Sequence, residues 1–145
     1  MHSPTPNPAR VCPFCRPDPS VVLAANTHAL ALHDGFPIST GHTLIVPRRH
    51  VASLSEIHQD EVAALWTLLA QTRSLLDEKY APAGYTIGVN DGVAAGQTVL
   101  HLHIHLIPRY AGDVPDPRGG VRWVIPSKAD YWTNPSSPTL PSSPA

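Results

Sequence analysis

The sequence predicts an α+β fold, an antiparallel sheet carrying one main helix, on three observations. Histidine and aliphatic residues alternate strictly from His101 to Leu106, as in a strand whose two faces differ in chemistry. Apolar residues recur at helical spacing between Gln59 and Lys79, the only such stretch of that length. Short apolar runs bounded by Gly, Pro, Asn and Asp stand on either side of it.

The elements follow in order. Val11-Cys12-Pro13-Phe14-Cys15 forms a tight knuckle before the first strand. Val21–Ala25 and Ala29–Leu32, separated around Asn26-Thr27, predict a hairpin. Asp34-Gly35-Phe36-Pro37 breaks it, and His42–Val46 predicts a strand ended by Pro47, with Arg48, Arg49 and His50 as a basic turn. In the helix, Val62, Leu65, Trp66, Leu69, Leu76 and Tyr80 share one face, which puts Trp66 in core or dimer packing. Asp60 and Glu61 suit the start of the helix, and Pro82 and Gly84 end it. Tyr85–Val89 predicts a strand that turns at Asn90-Asp91-Gly92 and returns, antiparallel, through the small-residue loop 94–98 into the histidine strand. Pro108 should stop that ladder, since it has no N–H to donate. Val121–Ile125 could form an edge strand.

Length and composition bound the rest. The 145 residues fit one domain, expected over 11–132, with a flexible tail at 1–10 and a Pro/Ser-rich tail at 133–145. A formal charge of −1 gives no electrostatic case for nucleic acid or an anionic membrane. There is no apolar run of transmembrane length and no signal-like start, so a cytoplasmic protein is expected. The two cysteines, Cys12 and Cys15, form a Cys-x-x-Cys pair, which in that setting suggests metal or redox work over a structural disulfide.

The histidine strand is the chemical centre. Leu102, Ile104 and Leu106 should face a core, and His101, His103 and His105 the opposite side, about 6–7 Å apart. A solvated strand face would carry Thr, Lys or Ser. Three neighbouring imidazoles have no propensity rationale and point to metal or proton chemistry near neutral pH.

His-x-His-x-His, entered through Ala95-Gly96-Gln97-Thr98, resembles the signature of the histidine triad superfamily of nucleotide hydrolases and transferases. Asn90-Asp91-Gly92 and Pro108-Arg109-Tyr110-Ala111-Gly112-Asp113 most resemble the branch that cleaves dinucleoside polyphosphates. Asp34, Pro37 and Gly41–Pro47 are similar to the family's ribose-binding strand and loop. The resemblance, over about residues 12–110, implies a five-stranded sheet with one long helix and a short one. It also implies a homodimer joined edge to edge into a ten-stranded sheet.

Several roles follow from the resemblance. His103 would attack the α-phosphorus, giving a nucleotidyl-histidine that water hydrolyses. His105 would bond the phosphate or leaving oxygen, and His42 would orient the catalytic group. Asn90, Gln97, Thr98 and the backbone of the Gly96 loop would donate to phosphate oxygens. Asp34 would accept from both ribose hydroxyls of an adenine or other purine nucleotide. Taken singly, Asp34-Gly35, Asn90 and Gln97 are ordinary turn residues. Cys12, Cys15, His50 and His101 resemble the Cys₂His₂ set of zinc-bearing members, a structural Zn²⁺ site with every position filled by protein. A thioredoxin-like role for the pair lacks a parallel βαβ context. Arg118, Arg122 and Trp132 lie outside the signature: the arginines could reach the far half of a polyphosphate or simply be solvated charges, and Trp132 could close the pocket by stacking. A purine nucleoside phosphoramidase, a phosphate-acceptor transferase and a slow nucleotide-binding signalling module are the alternatives; His105 argues mildly against the transferase branch.

Overall fold

The computed structural model describes residues 12–133, which form two compact units divided between Ala111 and Gly112. The expected tails lie outside the described residues, Thr133 excepted.

The first unit is an antiparallel five-stranded sheet with a long helix on one face. Its strands are β1 (Val22–Ala25), β2 (Ala29–His33), β3 (Thr43–Pro47), β4 (Gly84–Val89) and β5 (Ile104–Arg109). They lie in the order β1-β2-β3-β5-β4, so β5 is inserted between β3 and β4. Register sorts the side chains into two faces. Ala31, Ile45 and Ile104 align across β2, β3 and β5 and pack with Leu65, Leu68, Leu69 and Leu76 of the helix. Leu32, Leu44 and His105 align on the opposite face, where Leu30, Leu32, Leu44 and Val46 pack with Phe14 of the knuckle. β2 and β3 are covered on both sides, which explains their nearly unbroken apolar sequence.

Helix α1 spans Gln59–Tyr80. Glu61, in its first turn, reaches back to accept from the His58 N–H at 3.1 Å and also receives the Arg49 guanidinium through Nη2 at 2.7 Å. It ends where Ala81 turns left-handed (φ 46°) and Pro82 follows. Its buried stripe is Leu65, Leu68, Leu69, Thr72 and Leu76. Trp66 is 52 % exposed in the single chain, so it does not belong to the subunit core.

Three local expectations need correction. The histidine run enters regular pairing only at Ile104; the segment before it is tied by the Leu102 N–H to the Val51 carbonyl at 2.7 Å. Pro108 lies inside β5, opposite Tyr85, and does not stop the ladder. It is tolerated because β3 pairs with β5 only as far as Leu106. Finally, 120–124 is a 3₁₀ turn (Gly120–Val124) and not an edge strand. Gly119 and Gly120 enter it at positive φ, Trp123 Nε1–H donates to the Arg118 carbonyl, and the four-residue helix α2 (Pro126–Ala129) follows.

Candidate active site and metal centre

The ordering of the histidines begins with two backbone carbonyls. His101 is fully buried, and its Nε2–H donates to the Pro47 carbonyl at 2.7 Å. His103, 7 % exposed, donates Nδ1–H to the carbonyl of His101, also at 2.7 Å. A neutral imidazole has one N–H and one lone pair, so each carbonyl selects a tautomer. His101 is left with a lone pair on Nδ1, and His103 with one on Nε2.

A second chain of bonds runs in the opposite sense. The Ile38 N–H donates to His42 Nδ1 at 3.2 Å, so the neutral His42 ring carries its proton on Nε2. That Nε2 lies 3.0 Å from His105 Nδ1 and 3.3 Å from an Asp34 oxygen. His105 thereby accepts at Nδ1 and keeps its own proton on Nε2. The rings of His103 and His105 are 5.1 Å apart. A lone pair and a proton are thus presented by adjacent side chains. Asp34, His42 and His105 are close enough to resemble a metal trio. The Ile38 bond argues against it, because His42 could ligate through Nε2 only as an imidazolate.

Burial sets the charge state here. It pushes the His42 imidazole below its ordinary value, partly offset by Asp34. His105 is pushed down first by burial and then by His103 and His42, with Asp34 again opposing. Both rings are neutral at neutral pH.

The remaining predicted residues divide. Asn90 directly follows Val89, the last paired residue of β4, whose partner Ile104 directly follows His103. Thr98 is exposed in the loop leading to β5. Gln97, 6 % exposed, is turned inward instead: Nε2 donates to the carbonyls of Ala52 (2.9 Å) and Val99 (3.1 Å), and Oε1 accepts from the Gly92 N–H (2.8 Å). The Gly96 N–H closes on the Val93 carbonyl, with Gly96 in the left-handed region at φ 91°. These two residues brace the loop, and their donors are already engaged. In the second unit, Arg118 is held bidentately by Asp116 and lies over the Trp132 ring, while Arg122 donates to the Ala129 and Lys128 carbonyls.

Cys12, Cys15, His50 and His101 converge with all ligand atoms within 4.8 Å of one another. Cys12 Sγ and Cys15 Sγ each lie 3.5 Å from His101 Nδ1, Cys15 Sγ lies 3.1 Å from His50 Nδ1, and the two imidazole Nδ1 atoms are 3.2 Å apart. A tetrahedron with bonds of about 2.0–2.3 Å has edges of about 3.3–3.8 Å; the 3.5 Å distances fall in that range and the 3.1 and 3.2 Å ones just below it, so the donor set fits Zn²⁺ in chemistry and comes close in size. The Pro47 carbonyl supplies the outer hydrogen bond that leaves His101 Nδ1 free to ligate. Burial and the neighbouring Cys12 push the Cys15 thiol up to about 11, so metal binding here must displace protons.

Three parts of this constellation were not singled out from sequence: the Pro47 carbonyl, the Ile38 N–H and the Phe14 ring, which touches both His101 and His103. The first two are backbone groups with no sequence signal. An aromatic residue between two cysteines was a visible one.

A five-stranded sheet with a long helix on one face and a largely buried histidine cluster at the mouth of its inserted strand defines the class. Comparison with known proteins makes it specific: the HIT domain matches residues 16–112, and the chain belongs to the histidine triad family. It is 37 % identical over 91 residues to an uncharacterised HIT-like protein of Mycoplasma genitalium, covering 63 % of this chain and 64 % of that one. It is 38 % identical over 77 residues to the asymmetrical bis(5'-nucleosyl)-tetraphosphatase of Schizosaccharomyces pombe, covering 53 % of this chain and 42 % of that protein. The chain therefore spans less than two thirds of the length of either relative. Among solved structures, a zinc-bound histidine triad family protein from Mycobacterium smegmatis superposes with a TM-score of 0.66 at 30 % identity, covering 74 % of this chain and 86 % of that one. Among the described residues no helix is long and apolar enough to cross a membrane.

Proposed function

We propose that the protein is a cytoplasmic nucleotide hydrolase that releases a nucleoside monophosphate, preferably adenine-containing, from a dinucleoside polyphosphate by way of a nucleotidyl-His103 intermediate. The observation that carries the reading is the 2.7 Å bond from His103 Nδ1–H to the His101 carbonyl, which leaves Nε2 as a nucleophile. Nε2 forms a bond to the α-phosphorus as the bond to the leaving phosphate oxygen breaks. His105 Nε2–H donates a hydrogen bond to that oxygen and stabilises the charge it takes on as it leaves, and His42, fixed by Ile38 and Asp34, keeps His105 in the donating tautomer. Water then attacks the same phosphorus, the phosphorus–nitrogen bond breaks, and His103 is regenerated.

Asp34 receives the ribose hydroxyls, and Asn90 and Thr98 donate to the phosphate. Gln97 and Gly96 hold the loop that presents them. Cys12, Cys15, His50 and His101 hold one structural Zn²⁺, whose contribution is a fixed cross-link between the knuckle and the entrance to β5. The active form is a homodimer, with β4 as the sheet edge available for pairing and Trp66 on the exposed side of α1. The similarity to the yeast tetraphosphatase supports the substrate class.

Phosphorus NMR on diadenosine tri- and tetraphosphate beside adenosine phosphoramidate tests the reading. AMP should appear from the anhydrides, and protein quenched in alkaline detergent should carry a labelled nucleotide that is absent from His103→Asn. Turnover of the phosphoramidate alone would transfer the enzyme to the other branch. Nucleotide binding with no turnover, unchanged in His103→Asn, would make it a binding module.

A further inference from the structure

The knuckle carries more than two metal ligands. Phe14 stands between Cys12 and Cys15, and its ring meets two members of the histidine run edge-on. It is 5.8 Å from the His101 ring at 89°, and 5.2 Å from the His103 ring at 62°. His105 is a second ring neighbour of His103, 5.1 Å away. His103 thus has two ring neighbours and is tethered by a hydrogen bond to the His101 carbonyl. Rotating its imidazole half a turn about the Cβ–Cγ bond would break that bond and point a carbon where Nε2 now lies. Phe14 and His105 obstruct that rotation.

Both holds on His103 lead back to one cluster. The carbonyl belongs to His101, whose ring lies in the Cys₂His₂ set. Phe14 belongs to the knuckle, whose local backbone tie is a 3.3 Å bond from the Cys15 N–H to the Cys12 carbonyl. The sulfur atoms, 3.1–3.5 Å from the His50 and His101 nitrogens, fasten the knuckle to the rest of the chain. Beneath the ring, Leu30, Leu32, Leu44 and Val46 form an apolar seat.

We propose that Phe14 is a positioning residue for His103, a wedge that the Cys₂His₂ cluster clamps against the imidazole, so that metal loading sets the orientation of the nucleophile. The proposal rests on the reading of His103 as nucleophile for its consequence in rate, while the wedge itself is a statement about the ring.

Two-bond ¹H–¹⁵N spectra of the imidazoles, recorded on ¹⁵N-labelled protein at neutral pH, report tautomer and orientation directly. Zinc-loaded wild type should show His103 as a single tautomer protonated at Nδ1. Phe14→Ala should keep about one zinc per chain and a folded amide spectrum, yet show His103 in a mixture or broadened by exchange. Its rate of nucleotidylation should fall roughly ten- to a hundredfold, in keeping with a misplaced nucleophile, with nucleotide Kd changed less than about twofold. Phe14→Leu, which refills the seat without the aromatic edge, should lie between the two. Chelating zinc from wild type should reproduce the Phe14→Ala signature, and chelation of Phe14→Ala should add little.

An unaltered His103 spectrum in zinc-loaded Phe14→Ala, or in folded wild type after zinc removal, overturns the wedge. Should Phe14→Ala not fold, Phe14→Leu and the chelation arm decide by the same signal. If wild type turns over no nucleotide, the functional reading fails, and the spectra still decide the wedge.

Discussion

Gln97 separates two meanings of a polar residue beside the proposed phosphate site. As a donor to substrate it would be removed with loss of affinity and little loss of stability. The structure engages both of its side-chain donors and its carbonyl oxygen internally, with three bonds of 2.8, 2.9 and 3.1 Å joining Gly92, Ala52 and Val99. Gln97→Ala therefore deletes three hydrogen bonds from a buried position. At about 0.5–1.5 kcal/mol each the loss comes to roughly 2–4 kcal/mol. Gly92 is exposed, so water can satisfy its freed N–H, which places the expected loss at the lower end, about 2–3 kcal/mol. With a urea slope of about 1–1.5 kcal/mol/M, the unfolding midpoint should fall by about 2 M. Gln97→Glu is the sharper variant: the carboxylate can still accept from Gly92 but faces the Ala52 and Val99 carbonyls with no donor. It should be at least as destabilised as the alanine variant at neutral pH and recover when acidified. A Gln97→Ala protein with an unchanged urea midpoint and a weakened nucleotide Kd would refute the bracing role and restore the direct one.

Three further outcomes follow from the same geometry. Gly41→Ala places a Cβ 3.0 Å from two Tyr80 ring carbons and 3.2 Å from Pro108, at φ 89°, and should cost about 1–3 kcal/mol in thermal or urea unfolding. His42 and His105 have folded pKa values below the ordinary 6.5, so the acid limb of kcat/KM should lie below pH 6.5, because both rings stay neutral to lower pH. The same shifts make the unfolded chain bind protons that the folded one refuses. Their contribution to stability is complete above the unfolded value near 6.5 and declines as pH falls towards the folded values, which titration of the urea midpoint would reveal. Chelation of zinc should lower the melting temperature, and Cys15→Ser should abolish stoichiometric metal, about one ion per chain by elemental analysis; unchanged melting without metal would reject the Cys₂His₂ site.

What could be read beforehand was whatever depends on periodicity. Leu102, Ile104 and Leu106 are all buried, as alternation requires, and the hairpin of β1 and β2 forms around Asn26. Chain-level pairing could not be read. His101 and His103 precede the ladder because β3 reaches only Ile104 on that side, and Val51 holds the segment instead. Val121–Ile125 has a strand's composition but no strand partner, and two glycines at positive φ curl its start into a tight turn. The resemblance to zinc-bearing relatives named the Cys₂His₂ set, and the fold brings those four residues together. Residue type misled at Gln97, where a polar side chain beside a loop could face either way. Phe14 was read as part of a knuckle, and its contact with His103 arises only when residues about ninety positions apart are folded together.

The insertion of β5 between two earlier strands also governs the order in which the molecule can be built. Ile45 finds its partner Ile104 about sixty positions further along, whereas β1, β2 and β3 join through short connections. Closing a long loop is the slow step of such topologies. A nascent chain that has emerged only through α1 holds Asp34 and His42 on a three-stranded remnant and has neither His103 nor His105. On the proposed reading of His103, reactivity is therefore withheld from unfinished forms of the protein until the last strand joins the sheet.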